Sequence, residues 1–453
     1  MSFDRNLLTT NRLDVIFKFL YLKFKKTSPR FAKQLYHDHI KIITNGLFEE
    51  KDNGKKRFND FIDVFEVINK SIETEGFNTK ISKIPISNDG SISNGAHRLA
   101  SSLFNDVNVK TIQTNQQSHN YNYKFFKDRA LENHLLEFGV LNYLLLTENN
   151  FLAIIWPSAD KNIDYMKFFS DILYDKKMSL NSDGAQNFVA QVYKDHNWIG
   201  SFKEGYSGAI TKVAEAFKNF GDIHFIFFKM KSFDEVSKLK NKLRNLFAIG
   251  KASIHITDNN KETIELGKII LNPNSLHFLN NSKPYVFESV FKKLNELKKL
   301  LHHNNINLDD IVLTSSTILG IYGYREPSDI DFLSAEDFNL NQSLQSHNYL
   351  IDYYKKDKNE LIYNPRYHFY YSDFKFISLD EIIKFKKNRN EIKDRLDLEL
   401  IKRKQSFNKT IFLLKLRNSL NKSKFKLIAF MIPLSKKYNF YNFAKWIYKK
   451  ITN

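Results

Sequence analysis

Two groups of residues in this 453-residue chain have the types and spacing to handle phosphate. In the first, Ser315-Ser316 is followed by Asp329-Ile330-Asp331. Carboxylates two apart on a strand point to one face, where they can hold a divalent cation bridging nucleotide phosphates. The two serines, at the end of the preceding strand, would offer hydroxyl and backbone donors to phosphate oxygens. In the second, Gly95-Ala96-His97-Arg98 opens a helix. A glycine lets the backbone approach a ligand, the helix start presents free N–H groups, and arginine adds a planar bidentate donor. His97 would add a donor able to exchange a proton near neutral pH.

Composition narrows the remaining chemistry. The chain has no cysteine, so disulfides, thiolate zinc sites, iron–sulfur clusters and cysteine nucleophiles are excluded. The formal charge is +19, of which residues 401–453 carry +14 with no acidic residue. Lysines there alternate with Phe425, Phe430, Phe440, Tyr441, Trp446 and Tyr448, a pattern suited to a helix on an anionic lipid surface. Packing on the chain's own core is an equal expectation for this tail, and nucleic acid a lesser one. No apolar run reaches 18 residues, so a membrane-spanning helix is not expected, nor is a secretory signal. The expected location is cytoplasmic, with peripheral contact at the inner face of the membrane.

The elements that must position these groups follow from periodicity. Helices are expected over 1–52, a further helix from Phe58 to Gly76, and a strand–turn–strand over Ile81 to Ser93 around Asn88-Asp89-Gly90. Ala252 to Thr257 alternates as a strand, placing Lys251, Ser253, His255 and Thr257 on one face. Asn259 with Glu262 caps the helix that follows. Lys283-Pro284 marks a joint; beyond it come a helix with Phe287, Val290, Leu294, Leu297 and Leu301 on one face, and strands at Asp310–Thr314 and Ile330–Leu333. The fold class is α+β and multidomain, divided as 1–52, 53–282, 283–400 and 401–453. Tyr36-His37-Asp38-His39 is read as capping or packing rather than a metal site, and the glycine-rich stretch Trp198–Gly208 as a loop or lid.

The ordered series Ser71-Ile72-Glu73-Thr74-Glu75-Gly76-Phe77, Ile84-Pro85-Ile86, Asn88-Asp89-Gly90 and Gly95-Ala96-His97-Arg98 resembles the ParB/sulfiredoxin-like superfamily. The resemblance implies that Gly95, Ala96, His97 and Arg98 touch the phosphates of a nucleotide, with Glu75 or Glu73 as a catalytic carboxylate. Sulfiredoxins carry cysteine in this turn, where Ala96 stands here, so kinase or nucleotide-binding chemistry is implied instead. Residues 287–401 resemble the nucleotidyltransferase superfamily, through Ser315-Ser316, Asp329-Ile330-Asp331 and the later Lys384, Lys387, Arg389, Lys393-Asp394 and Asp397-Leu398. That resemblance implies a cation, Mg²⁺ or Mn²⁺, on Asp329 and Asp331, and ATP or another nucleoside triphosphate near Ser315, Ser316 and Lys393. It lacks an obvious third carboxylate, Asp373 being the weak candidate with His368 nearby.

Taken together these imply a nucleotide-dependent phosphotransferase, a kinase or nucleotidyltransferase, with Glu75, His97 and Arg98 as candidate catalytic residues. A loose resemblance to proteins of bacterial cell-surface polysaccharide loci implies a sugar or polyol acceptor. The alternatives are a glycosyltransferase using Asp-x-Asp, a CTP- and DNA-binding ParB-like protein, and a non-catalytic scaffold.

Overall fold

The computed structural model describes residues 2–50, 54–80, 83–218, 220–338 and 344–409. The amphipathic pattern expected beyond residue 409 lies outside them. In chain order the elements are α1 (Leu13–Phe24), α2 (Pro29–Ile43), α3 (Phe58–Glu75), β1 (Ile84–Ile86), α4 (Ala96–Phe104), β2 (Thr111–Gln113), α5 (Tyr123–Asp128) and α6 (Asn133–Leu146). Next come β3 (Asn150–Ile155), β4 (Ile172–Met178), α7 (Ser182–Val192), α8 (Ser207–Ala216), β5 (Ile223–Lys229), α9 (Phe233–Phe247), β6 (Ile254–Ile256), α10 (Asn260–Ile270) and α11 (Pro273–Asn281). The last group is α12 (Glu288–His303), β7 (Ile311–Thr314), α13 (Ser316–Ile321), β8 (Ile330–Ser334), β9 (Leu344–Ser346), α14 (Lys358–Tyr363), β10 (His368–Tyr371), β11 (Phe374–Ile377), α15 (Leu379–Arg389) and α16 (Ile392–Lys409).

The architecture is α+β, with three separate sheets among the described residues. β1 and β2 pair in parallel across α4. The middle sheet runs β4-β5-β3-β6, all antiparallel. The third runs β10-β11-β7-β8-β9, with β7 antiparallel to β8 and parallel to β11. The expected strand pair over Ile81 to Ser93 is corrected: Ile86 and Ile92 form a single bridge, and the partner of β1 is β2. Pro85 has no N–H to give a ladder, which limits a hairpin at that point.

Helix faces follow the residue pattern. Val290, Leu294, Leu297 and Leu301 recur on one face of α12 and are all buried. Asn259 caps α10, its side chain accepting from the Glu262 N–H. α6 is buried all round and forms a centre against which α1, α5 and α10 pack. One continuous apolar cluster reaches from Phe3 to Ile401 and runs under both candidate phosphate sites. A second, smaller one fills the space between α9 and the middle sheet, around Ile226, Phe228, Val236 and Leu243. No helix among the described residues is long and apolar enough to cross a membrane.

Candidate functional site

The chemistry of the third sheet is concentrated where β7 ends. Thr314 pairs with Asp331 across the β7–β8 ladder, so the turn after β7 stands beside the carboxylates. Ser315 occupies that turn with φ +54 and ψ −128, a region that favours glycine, before α13 begins at Ser316. The Ser316 hydroxyl lies 3.2 Å from Asp331 Oδ2 and 3.5 Å from Asp329 Oδ1. Thr317 Oγ1 accepts from the Asp331 N–H at 3.0 Å, and Ser328 donates to Asp329 Oδ1 at 3.0 Å. The sequence-predicted group Ser315, Ser316, Asp329 and Asp331 is thus brought together by one strand end.

Asp331 is 3% exposed, and its Oδ1 accepts no hydrogen bond among the described residues. His347, directly after β9, places Nε2 3.1 Å from that oxygen without hydrogen-bond geometry. Burial pushes the Asp331 carboxyl above the usual carboxylate range and Asp329 adds to the effect, while His347, Ser315 and Ser316 oppose it. Burial likewise holds His347 below the usual imidazole range, against the pull of Asp331 and with help from Arg389 and Lys393. A buried carboxylate oxygen left without a donor is costly unless something is bound there.

The rim of the site is cationic. Arg325 grips Asp397 bidentately at 2.6 and 2.9 Å; its guanidinium is held up first by Asp397, then by Asp329 and Asp331. Lys386 is fully buried between Asp394 at 3.1 Å and Asp397 at 2.8 Å. Arg389 grips Asp394 at 2.7 and 2.8 Å. The Lys-Asp-x-x-Asp stretch of α16 therefore supplies anchors for three cations, Arg325, Lys386 and Arg389, rather than groups facing a ligand. Lys393 is exposed and pairs with Glu391 at 3.2 Å.

Asp373 does not complete the acidic pair. It sits in the β10–β11 turn with φ +71, ion-paired to Lys194 at 2.9 Å and Lys298 at 3.1 Å. β11 runs parallel to β7 with Phe376 opposite Leu313, so Asp373 lies toward the start of β7, away from Ser315. Alternation from that register gives Lys375 and Ile377 to the face of Asp331, and neither is a carboxylate. His368 is buried, its Nδ1 3.2 Å from the Leu361 carbonyl. Among the described residues no group of three or more His, Asp or Glu side chains is placed to hold a metal ion. Asp331 Oδ1, the adjoining Asp329 and the Ser316 hydroxyl nevertheless make an oxygen-rich donor set that fits a hard divalent cation.

The first turn is built differently. Gly95 caps α4 with φ +86, and a Cβ there would stand 2.8 Å from both Arg98 Nη2 and Ile84 Cδ1. The Gly95 N–H already donates to Asn94 Oδ1 at 2.6 Å. His97 Nε2 meets the Tyr36 hydroxyl at 2.8 Å, and its ring packs edge-on to Phe65. Burial, then Lys18, Lys55 and His39, hold His97 well below the usual imidazole range. It is uncharged at neutral pH and brings no positive charge to an anion. Ala96 and Arg98 are half-buried at the start of α4. Glu75 ends α3 in solvent, with neither hydrogen bond nor ion pair among the described residues.

Beneath this turn lies a buried ionic cluster that sequence pattern did not single out. Arg12 grips Asp14 at 2.8 and 3.0 Å, and Lys18 reaches Asp14 at 3.0 Å and His39 at 3.4 Å. Arg12 also donates to the Ile92 carbonyl, tying α1 to the loop before α4. Tyr36 and His39 are core residues in this arrangement, while His37 pairs with Asp38 at 2.9 Å. His255 is buried against Glu262 at 2.9 Å, and Lys251 falls in a helical turn before β6, so the two do not share a strand face. In the Trp198–Gly208 stretch, Gly208 passes so close to the Trp198 carbonyl that a Cβ would meet it at 2.2 Å. That contact makes the stretch a packed loop.

Comparison of the chain with protein-family profiles, curated proteins and solved structures gave no match. The reading of function therefore rests on the residues themselves.

Proposed function

We propose that the chain is a nucleotide-dependent phosphotransferase, a kinase or nucleotidyltransferase, working at the turn between β7 and α13. The observation that carries the reading is Asp331: a buried carboxylate with one oxygen lacking a hydrogen bond, beside Asp329 and Ser316. Asp329 and Asp331 would hold Mg²⁺ or Mn²⁺, whose bound charge screens the phosphates of ATP or another nucleoside triphosphate. Ser315 and Ser316 face the same phosphates, and Arg325, Arg389 and Lys393 supply the surrounding positive field. An acceptor hydroxyl, on a sugar or polyol, would form the new oxygen–phosphorus bond as the bond to the leaving nucleoside diphosphate (kinase) or pyrophosphate (nucleotidyltransferase) breaks, its proton passing to solvent. Positioning and charge neutralisation supply most of the rate in such transfers.

In this reading the Gly95–Arg98 turn is a second anion site, and the basic segment 401–453 a contact for an anionic membrane surface. The test is thermal stability with ATP, CTP, GTP and UTP, each with and without Mg²⁺ or Mn²⁺, for wild type, Asp329→Ala and Arg98→Ala. A ligand that binds the folded state alone raises stability by mass action. Cation-dependent stabilisation by a nucleotide, lost in Asp329→Ala, is the expected result. Loss in Arg98→Ala alone would move the chemistry to the first turn, and no stabilisation in any folded variant would sink the proposal.

A further inference from the structure

Away from both sites described above, α8, α9 and the segment after α7 bring cations together without pairing them to acids. Lys212 on α8 is 6% exposed, and its Nζ makes one hydrogen bond among the described residues, to the Lys251 carbonyl at 2.7 Å. Burial lowers its ammonium to about 8; Glu215 opposes this, and Arg244 and Lys251 add to it. Glu215, three residues along α8, forms no ion pair among the described residues. Arg244 on α9 has its Nε shielded from solvent and without a hydrogen-bond partner, and its side chain makes no ion pair among the described residues. Tyr193, directly after α7, joins these cations to an exposed ring. Lys212 Nζ lies 5.9 Å from its ring centroid, the charge of Arg244 acts on its hydroxyl, and its ring packs 4.9 Å from that of Trp198, which is 49% exposed.

A guanidinium cannot shed its proton, so a buried donor left unanswered on it is costly. Two desolvated cations without a counter-charge add repulsion to that cost, and an oxyanion removes both. The guanidinium fork and the unused N–H groups of Lys212 suit the several oxygens of a phosphate. We propose that Lys212 and Arg244 bind the phosphate group of a soluble, ring-bearing phosphate ester, with the indole of Trp198 as the platform for its ring. The site uses no divalent cation and stands independently of the reading at Asp331.

The experiment is isothermal titration calorimetry of the full chain carrying Arg98→Ala, free of divalent cations, so that neither the Gly95 turn nor the Asp331 site contributes. The probes are inorganic phosphate and phenyl phosphate. Both are expected to bind, and at pH 8 binding takes up protons, because a phosphate dianion draws Lys212 into its charged form. Buffers of different ionisation enthalpy read that uptake. Arg244→Gln lowers both affinities by about tenfold or more, and Lys212→Arg keeps binding but loses the proton uptake. Trp198→Ala weakens phenyl phosphate and leaves inorganic phosphate unchanged; equal loss or no loss overturns the platform and leaves the phosphate site standing. No binding, or affinity unchanged in folded Arg244→Gln, overturns the proposal without touching the nucleotide reading. Sedimentation with phosphatidylcholine vesicles containing phosphatidic acid, dependent on Arg244 and without binding of either soluble probe, overturns the soluble ligand in favour of a lipid headgroup. Arg244→Gln removes a charge that no acid neutralises, so its melting temperature is expected at or above that of the Arg98→Ala chain, and it decides the matter even where Lys212→Arg does not fold.

Discussion

At the scale of single residues, a binding group differs from a structural one in whether its polar atoms are already satisfied. Asp394 is satisfied: Lys386, Arg389 and the Glu391 N–H all reach it. Asp331 is not, although it is equally buried. Replacing Asp331 with Asn removes a buried charge that burial itself disfavours. Asp331→Asn is therefore expected to leave stability at neutral pH unchanged or to raise it, while abolishing cation-dependent nucleotide binding. Denaturant titration checks it; a loss of stability of several kcal/mol would place Asp331 among the structural carboxylates. Ser315 offers a second comparison, because its backbone is one that glycine adopts without cost. Ser315→Gly is expected to preserve the melting temperature or raise it, and Ser315→Val to lower it, in the same thermal assay.

At the scale of elements, α15 and α16 act as a clasp on the loop before β8. Their acidic and basic side chains lie at the crossing of the two helices and reach Arg325. Removing one partner of a buried ion pair strands the other, which commonly costs about 3–5 kcal/mol. Lys386→Met is expected to destabilise the chain by that order, read from urea unfolding, and Asp394→Asn by a similar amount. Both should also weaken nucleotide binding, because Arg325 and Arg389 lose the anchors that aim them. A Lys386→Met variant as stable as wild type would refute the clasp. Much of this was legible in the sequence: the spacing of Lys393-Asp394 and Asp397 put both carboxylates on one helix face. Their partners were not, because Lys386 and Arg325 come from other elements and only packing brings them together.

At the scale of the whole molecule, stability should follow pH through groups buried without a counter-charge. His39, His97 and His368 are held well below the usual imidazole range by burial. In the unfolded chain they titrate near pH 6.5, so the unfolded state binds more protons below that value and stability falls as pH drops through about 6.5. Lys212 and Lys375, both buried and bonded to backbone carbonyls, are lowered to about 8. Between pH about 8 and the unfolded value near 10.4 the unfolded chain again binds more protons, and stability is expected to rise. Burial holds Tyr193, Tyr354 and Tyr371 above the usual phenol range, which reverses the trend once pH passes about 10. Melting temperatures across a pH series check the shape; a flat profile between pH 8 and 10 would contradict the burial of the two lysines.

The sequence by itself determined the α+β class, the helix faces of α3, α10 and α12, the strands that carry Asp331 and precede Ser315, and the glycine-dependent turn at Gly95. These are local matters of periodicity, capping and backbone freedom, and each is written in neighbouring residues. Tertiary structure alone decided the partners. It sent Asp373 to the wrong end of its strand for a cation site, paired β1 with β2 instead of its sequence neighbour, turned His97 toward Tyr36, and set His347 against Asp331. Each of those outcomes depends on sheet order and register, which arise from how distant elements bury their apolar faces together and leave no trace in the spacing of nearby residues.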